Sequence, residues 1–207
     1  MIEVALSLAI VAFAMVAIIG VMPAGLNVQK ENREDTILSQ DAALLLEAIR
    51  GGPNSAGLTV LSSSLLGFRG PSVPPAGAWT PLDVIARLSI PRWDTTNSTN
   101  GGLNHAQFRA FSGNLSDSAS ASTNVAFTYV VTAEVTSHAG DPFQPGHSYF
   151  LTNNLFEVKL TFSWPVYDAT AWVVGDRRLV VRTLVSGQLQ VSTNGGQLFH
   201  STSYRSL

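Results

Sequence analysis

The sequence predicts an α+β protein: one long N-terminal α-helix followed by a head built on an antiparallel β-sheet. Three observations predict this. An unbroken apolar run, "VALSLAIVAFAMVAIIGVM", occupies residues 4–22. An amphipathic helical stripe follows at residues 38–49. Three stretches in the second half of the chain alternate apolar and polar residues with a period of two. The chain thus divides into residues 1–50, a helix first hydrophobic and then amphipathic, and residues 51–207, a β-rich head with polar loops at 94–124.

Only 13% of the residues are charged, against 45% hydrophobic. Ordinary soluble domains are nearer a quarter charged, and the apolar excess here sits in the first 22 residues. The net charge of -2 and the lack of a basic cluster leave no electrostatic footprint for nucleic acid. The absence of cysteine removes disulfides, thiolate nucleophiles and Cys-based metal sites together.

The first element is the apolar helix. Its length, Val4 to Met22, is close to the ~20 residues that cross ~30 Å of hydrocarbon. Small residues at Ala5, Ala9, Ala12 and Ala17 let neighbouring helices approach closely. No basic residue precedes the run and the first is Lys30, unlike a secretory signal. Glu3 stands at the mouth of the run. It can lie at headgroup level and favour the positive helix N-terminus. Equally, it can wait in an apolar surround for a cation such as the α-amino group of a neighbouring, staggered helix.

Gly20, Pro23 and Gly25 predict a kink or a locally unwound stretch around residues 19–25, because proline lacks a donor and glycine weakens a helix. Beyond it, Leu38, Ala42, Leu45 and Ile49 recur at helical spacing, while Lys30, Glu31, Arg33, Glu34 and Asp35 take the solvent side. Gly51, Gly52 and Pro53 stop the helix. The two parts make one helix of about 48 residues, roughly 70 Å long. Its apolar stripe needs a cover, which the sheet supplies.

Residues 53–79 show little regular pattern. In "TPLDVIARL", Thr80 is an N-cap, Pro81 the first helical position and Asp83 a first-turn acid, predicting a helix over 81–88. Residues 94–124 are polar and repetitive and read as exposed loops. Asn97 and Asn114 begin glycosylation triplets of a kind common by chance in such loops. Strands are expected at 125–136, 155–164 and 177–191. In the last, Leu179, Val181, Val185, Leu189 and Val191 share a face opposite Arg178, Arg182, Gln188 and Gln190.

No catalytic, cofactor-binding or metal-binding residue is expected from the sequence. His105, His138, His147 and His200 are far apart, and no metalloprotease, P-loop, nucleophile-elbow or dinucleotide motif occurs. Asp141 and His147 share a loop that reads as a solvated turn. Asp168 and Asp176 read as turn formers between the last two strands. Trp164, Tyr167 and Trp172 are expected to pack at a sheet end, in preference to forming a carbohydrate or partner surface. Arg177, Arg178 and Arg182 are expected to cover the polar face of a strand.

The stretch "IEVALSLAIVAFAMVAIIGVMPAGLN" resembles the N-terminal segment of type IV pilins and type II secretion pseudopilins. Glu3 matches the family glutamate, Ile2 the residue before it, and Pro23 lies near the helix-breaking proline. The stretches "EVKLTFSWPV" and "RTLVSG" look like the pilin-like cassette proteins of Verrucomicrobia. The resemblance implies cleavage and N-terminal methylation by a prepilin peptidase, residence in the inner membrane, and then stacking on copies of itself or other pilin-like subunits through an assembly platform. In that assembly Glu3 neutralises a neighbour's N-terminal amine. The head would end outside the cytoplasm, in an envelope-spanning or extracellular filament. Met1 stands where the family has Leu two residues into the mature chain, so either the sequence is truncated at its front, with a basic leader before it, or this subunit is not processed. Without a leader, Lys30 and Arg33 would hold the head in the cytoplasm. The expected function is a non-enzymatic filament subunit; the alternative is a single-span anchored periplasmic or extracellular binding protein, and an anchored enzyme ranks third.

Overall fold

The computed structural model describes residues 2–70, 79–91, 103–111, 127–138, 145–193 and 195–204. It is an α+β arrangement of a long N-terminal helix and a five-stranded antiparallel sheet. The chain forms two compact units, Met1–Ile37 and Leu38–Leu207. The amphipathic end of the helix therefore belongs to the same unit as the sheet.

The first unit is the N-terminal part of helix α1, which spans Ile2–Gly51 with Pro23 inside it. No unwound stretch interrupts residues 19–25, which corrects half of the sequence expectation. Proline removes one amide donor, and the helical hydrogen bonds around it suffice to carry the helix through. Every described side chain from Ile2 to Arg33 is exposed. Among the described residues α1 is the one helix long and apolar enough to cross a membrane, with a window of mean hydropathy 2.8 that is 0% buried.

In the second unit the stripe behaves as its spacing predicts. Leu38, Ala42, Leu45 and Ile49 are fully or almost fully buried, joined by Ala48 on the shoulder. Burying each of Leu38, Leu45 and Ile49 stabilises by about 1.5–3 kcal/mol. The cover is the inner face of the sheet, to which Asp41 and Arg50 are tied: Asp41 accepts from Tyr129, and Arg50 Nη2 donates to Thr183 Oγ1 at 2.7 Å.

The sheet runs in the order β1 (Leu65–Arg69), β2 (Asn104–Arg109), β3 (Thr128–Ser137), β4 (Leu155–Asp168), β5 (Val173–Ser186), with each neighbouring pair antiparallel. Alternation sorts its side chains. Phe68, Ala106, Val131, Phe162 and Leu179 are in register across all five strands on the inner face. Tyr129, Val135, Phe156, Val158 and Leu160 extend that face and are buried.

Helix α3, Pro81–Leu88, closes another side of the core with Val84, Ile85 and Leu88. Its start is a capping box. The Thr80 hydroxyl accepts from the Asp83 backbone N–H at 3.2 Å, and the Asp83 carboxylate accepts from the Thr80 N–H at 3.0 Å. Arg87 is buried in the same helix, donating to the Asp83 carbonyl at 3.1 Å, with its guanidinium 5.1 Å from the Trp79 ring centre.

Several expectations are corrected. The irregular segment 53–79 holds a 3-10 turn (Gly52–Gly57), helix α2 (Thr59–Ser63) and β1. The polar loop 94–124 contains β2, whose pattern is too short to stand out from its Asn- and Ser-rich flanks. The loop around His147 includes helix α4, Pro145–Asn154. The strand expected at 177–191 is two strands in two sheets. Gly187, at φ 121, ends β5, and β6 (Gln188–Val191) then pairs with β7 (Gln197–His200). A side chain on Gly187 would collide with the His200 carbonyl, so glycine is required at that break.

Candidate functional site

The first candidate lies in the N-terminal unit. Glu3 occupies the first turn of α1, at the head of the exposed apolar segment. Gly20 and Gly25 are open: a Cβ at either would meet nothing within 4 Å. Ile18, Val21, Met22 and Leu26 surround Gly25 as an apolar groove. All of this surface requires lipid or another apolar partner, since isolated exposure of so many large side chains in water is costly.

The second candidate is the sheet's outer face. The residues that alternate with the core residues place Arg69, His105, Thr132 and Thr161 in one register row. Gln107, Val130, Ser163 and Arg178 form the next. Glu134 and Lys159 begin a third, joined by a 2.9 Å ion pair. These threonines, serines and charges are what period-two alternation leaves on the side away from the core.

A second layer makes this face concave. Hairpin β4–β5 is longer than its neighbours and irregular in register between Trp164 and Asp168. At its tip the Asp168 carboxylate accepts from the backbone N–H groups of Ala171 at 2.9 Å and Thr170 at 2.8 Å. The same two bonds hold the Asp168 carboxyl below its ordinary range. Trp172 follows at φ 64, a left-handed conformation unusual for a bulky residue. Its indole reaches the opposite edge strand. A Cβ at Gly67 would lie 3.2 Å from the ring, and the Arg69 guanidinium stacks 4.7 Å from the ring centre. Arg69 Nη2 also donates to the Thr170 carbonyl at 2.9 Å. The hairpin tip thus bridges from β5 to β1 over the outer face.

Beneath it lies a groove of about 430 Å³. His105 Nδ1 is 2.9 Å from Thr132 Oγ1 in its wall. Burial first, and the neighbouring Arg69 charge second, lower the His105 pKa, so its ring is neutral at pH 7. Arg69, Lys159 and Arg178 line the groove against the single carboxylate of Glu134, leaving its field positive. The surface can hold an anion and hydrogen-bond to hydroxyl groups.

The remaining sequence candidates scatter. His138 follows β3 and His200 ends β7. Asp141, Asn97 and Asn114 lie outside the described residues, as does the His147 side chain. No group of three or more acidic or imidazole side chains among the described residues could hold a metal ion. Asp168 is a turn former, whereas Asp176 lies within β5, a correction to its expected place in the connection. The three aromatic residues near that connection separate. Trp164 is buried, Tyr167 is 72% exposed, and Trp172 covers the groove. Arg178 and Arg182 take the polar face, but Arg177 points the other way and stacks 5.3 Å from the Trp164 ring centre. Arg69, Thr132, Thr161 and Ser163 were not singled out from the sequence. Their signal is the polar half of each strand's alternation, which reads as plain solvent exposure.

The chain matches no protein-family description, no curated protein and no solved structure.

Proposed function

We propose that the chain is a non-enzymatic structural subunit of a type IV pilus-like or pseudopilus-like envelope filament, assembling through its N-terminal apolar helix. One observation carries the reading: an exposed apolar helical segment whose first turn holds a single carboxylate, Glu3. Lipid can cover such a segment, but lipid supplies no fixed cation for an acid at its mouth. A neighbouring copy supplies both an apolar cover and an α-amino group. The α+β arrangement and the likeness of residues 2–27 to pilin N-terminal segments support the same reading.

On this reading the subunit waits in the inner membrane, is processed by a prepilin peptidase, and joins copies of itself or related subunits on an assembly platform. Its head ends outside the cytoplasm. Glu3→Ala and Glu3→Leu test it. Each variant is expected to enter the membrane normally and to lose filament assembly. Assembly at wild-type level in both variants rejects the charge-pairing role. If, in addition, the native protein is a monomer in its envelope, the chain is a single-span anchored binding protein instead.

A further inference from the structure

We propose that the groove on the outer face of the sheet binds an acidic saccharide, a carboxylated sugar of one or two rings. The inference stands on the head alone and does not depend on the filament reading.

Size comes first. A volume of about 430 Å³ lies in the range of sites for small organic ligands. Hydrogen bonding comes next. Thr132 and Thr161 are register partners, and Ser163 lies two residues along β4 on the same face. Their hydroxyls donate and accept, as sugar hydroxyls do. Charge then selects an acid over a neutral sugar. Arg178 lines the groove and makes no hydrogen bond or ion pair within the described residues, so its guanidinium is available to grip a carboxylate through paired N–H groups. The groove's positive excess favours the same charge.

Trp172 supplies the independent observation. Its indole is held over the groove by a left-handed backbone that a glycine or asparagine would adopt with less strain. Gly67 leaves room for that ring on β1, and the Arg69 guanidinium stacks over one of its faces. An apolar aromatic wall above a floor of hydroxyls and guanidinium groups suits a pyranose, whose faces are apolar and whose rim is polar. A simple inorganic anion would use the cations but neither the hydroxyl rows nor the indole wall.

The test is calorimetric titration of the full chain, held in micelles of a detergent without a sugar headgroup. The probes are sodium glucuronate, glucose and inorganic sulfate. Glucuronate is expected to bind with a Kd on the order of 1 mM or tighter, as a single-ring ligand would. Arg178→Gln should weaken it about tenfold, the loss of one charge-assisted bidentate contact. Thr161→Val should weaken it by a smaller factor, and both probes other than glucuronate should bind more weakly. Circular dichroism and the Tm establish that the variants are folded. No heat with glucuronate, an unchanged affinity in folded Arg178→Gln, or sulfate binding as tightly as glucuronate each overturns the proposal.

Discussion

The Tyr129 hydroxyl donates to Asp41 Oδ2 at 2.8 Å, joining the amphipathic end of α1 to the centre of the sheet. The same oxygen accepts the Phe111 backbone N–H at 3.2 Å. Asp41 is 0% exposed, so this carboxylate is a registration point between helix and strand in the middle of the core. Replacing it with Ala leaves two buried donors without that acceptor, each costing about 1–3 kcal/mol. Tyr129→Phe removes one hydrogen bond to a charged group and should cost about 1.5–3 kcal/mol. Urea unfolding of the full chain in micelles measures both. Equal losses in the two variants would show that the carboxylate does no more than hold the tyrosine.

Tyr129 also sets an alkaline limit. Burial, with the Asp41 charge and hydrogen bond behind it, pushes its pKa well above the ordinary value near 10. The unfolded chain ionises this phenol at about pH 10, while the folded chain keeps it neutral. Stability from this group is therefore complete below about pH 10 and falls as the pH rises beyond it. A pH series of unfolding midpoints should show the fall in the native chain and a smaller one in Tyr129→Phe. Identical alkaline slopes would remove Tyr129 as its source.

His105 works in the opposite direction. Its lowered pKa means that the unfolded chain takes up a proton near pH 6.5 while the folded chain resists it. Stability is thus fully present above that pH and declines as the pH falls through and below it. The facing groups are Arg69 and Thr132. His105→Gln can keep a hydrogen bond to Thr132 without titrating, so its midpoint should vary less between pH 7 and pH 5 than that of the native chain. NMR titration of the imidazole gives the direct measurement.

Two leucines on one helix should respond differently. Leu45 is fully buried, and Leu45→Ala should destabilise the head by about 2–5 kcal/mol through lost burial and an unfilled cavity. Leu6 is 63% exposed, and Leu6→Ala should leave the head's unfolding midpoint unchanged. A comparable loss in both variants would mean that the apolar segment also supports the head.

Gly25→Ala separates the isolated subunit from the assembled one. Nothing obstructs the new methyl, and alanine favours a helix over glycine by about 0.8–1.0 kcal/mol, so helicity of the lone subunit should rise. If neighbouring helices pack closely on this groove, the same change should reduce filament yield. Greater helicity with an undiminished yield would place the contact elsewhere on the helix.

Local rules made much of the architecture readable. The stripe of Leu38, Ala42, Leu45 and Ile49, the Thr80–Asp83 capping box, and the alternation of β3 and β4 depend on neighbours a few residues away. β2 escaped notice because its alternation, "NHAQFR", is short and lies in polar sequence. Nothing local distinguishes Asp41 from the other polar positions of the helix. Its burial comes from a partner 88 residues away.

The apolar run with Glu3 at its mouth, the amphipathic stripe and the strand periods are properties of the sequence by itself, because backbone periodicity and side-chain hydrophobicity are local. The groove was decided by tertiary structure. Arg69 and Thr170 are 101 residues apart, and they meet only because hairpin β4–β5 crosses the outer face to the opposite edge. Threonines that alternation marks as solvent-facing become the floor of a cavity once a distant indole closes over them, and no spacing along the chain encodes that approach.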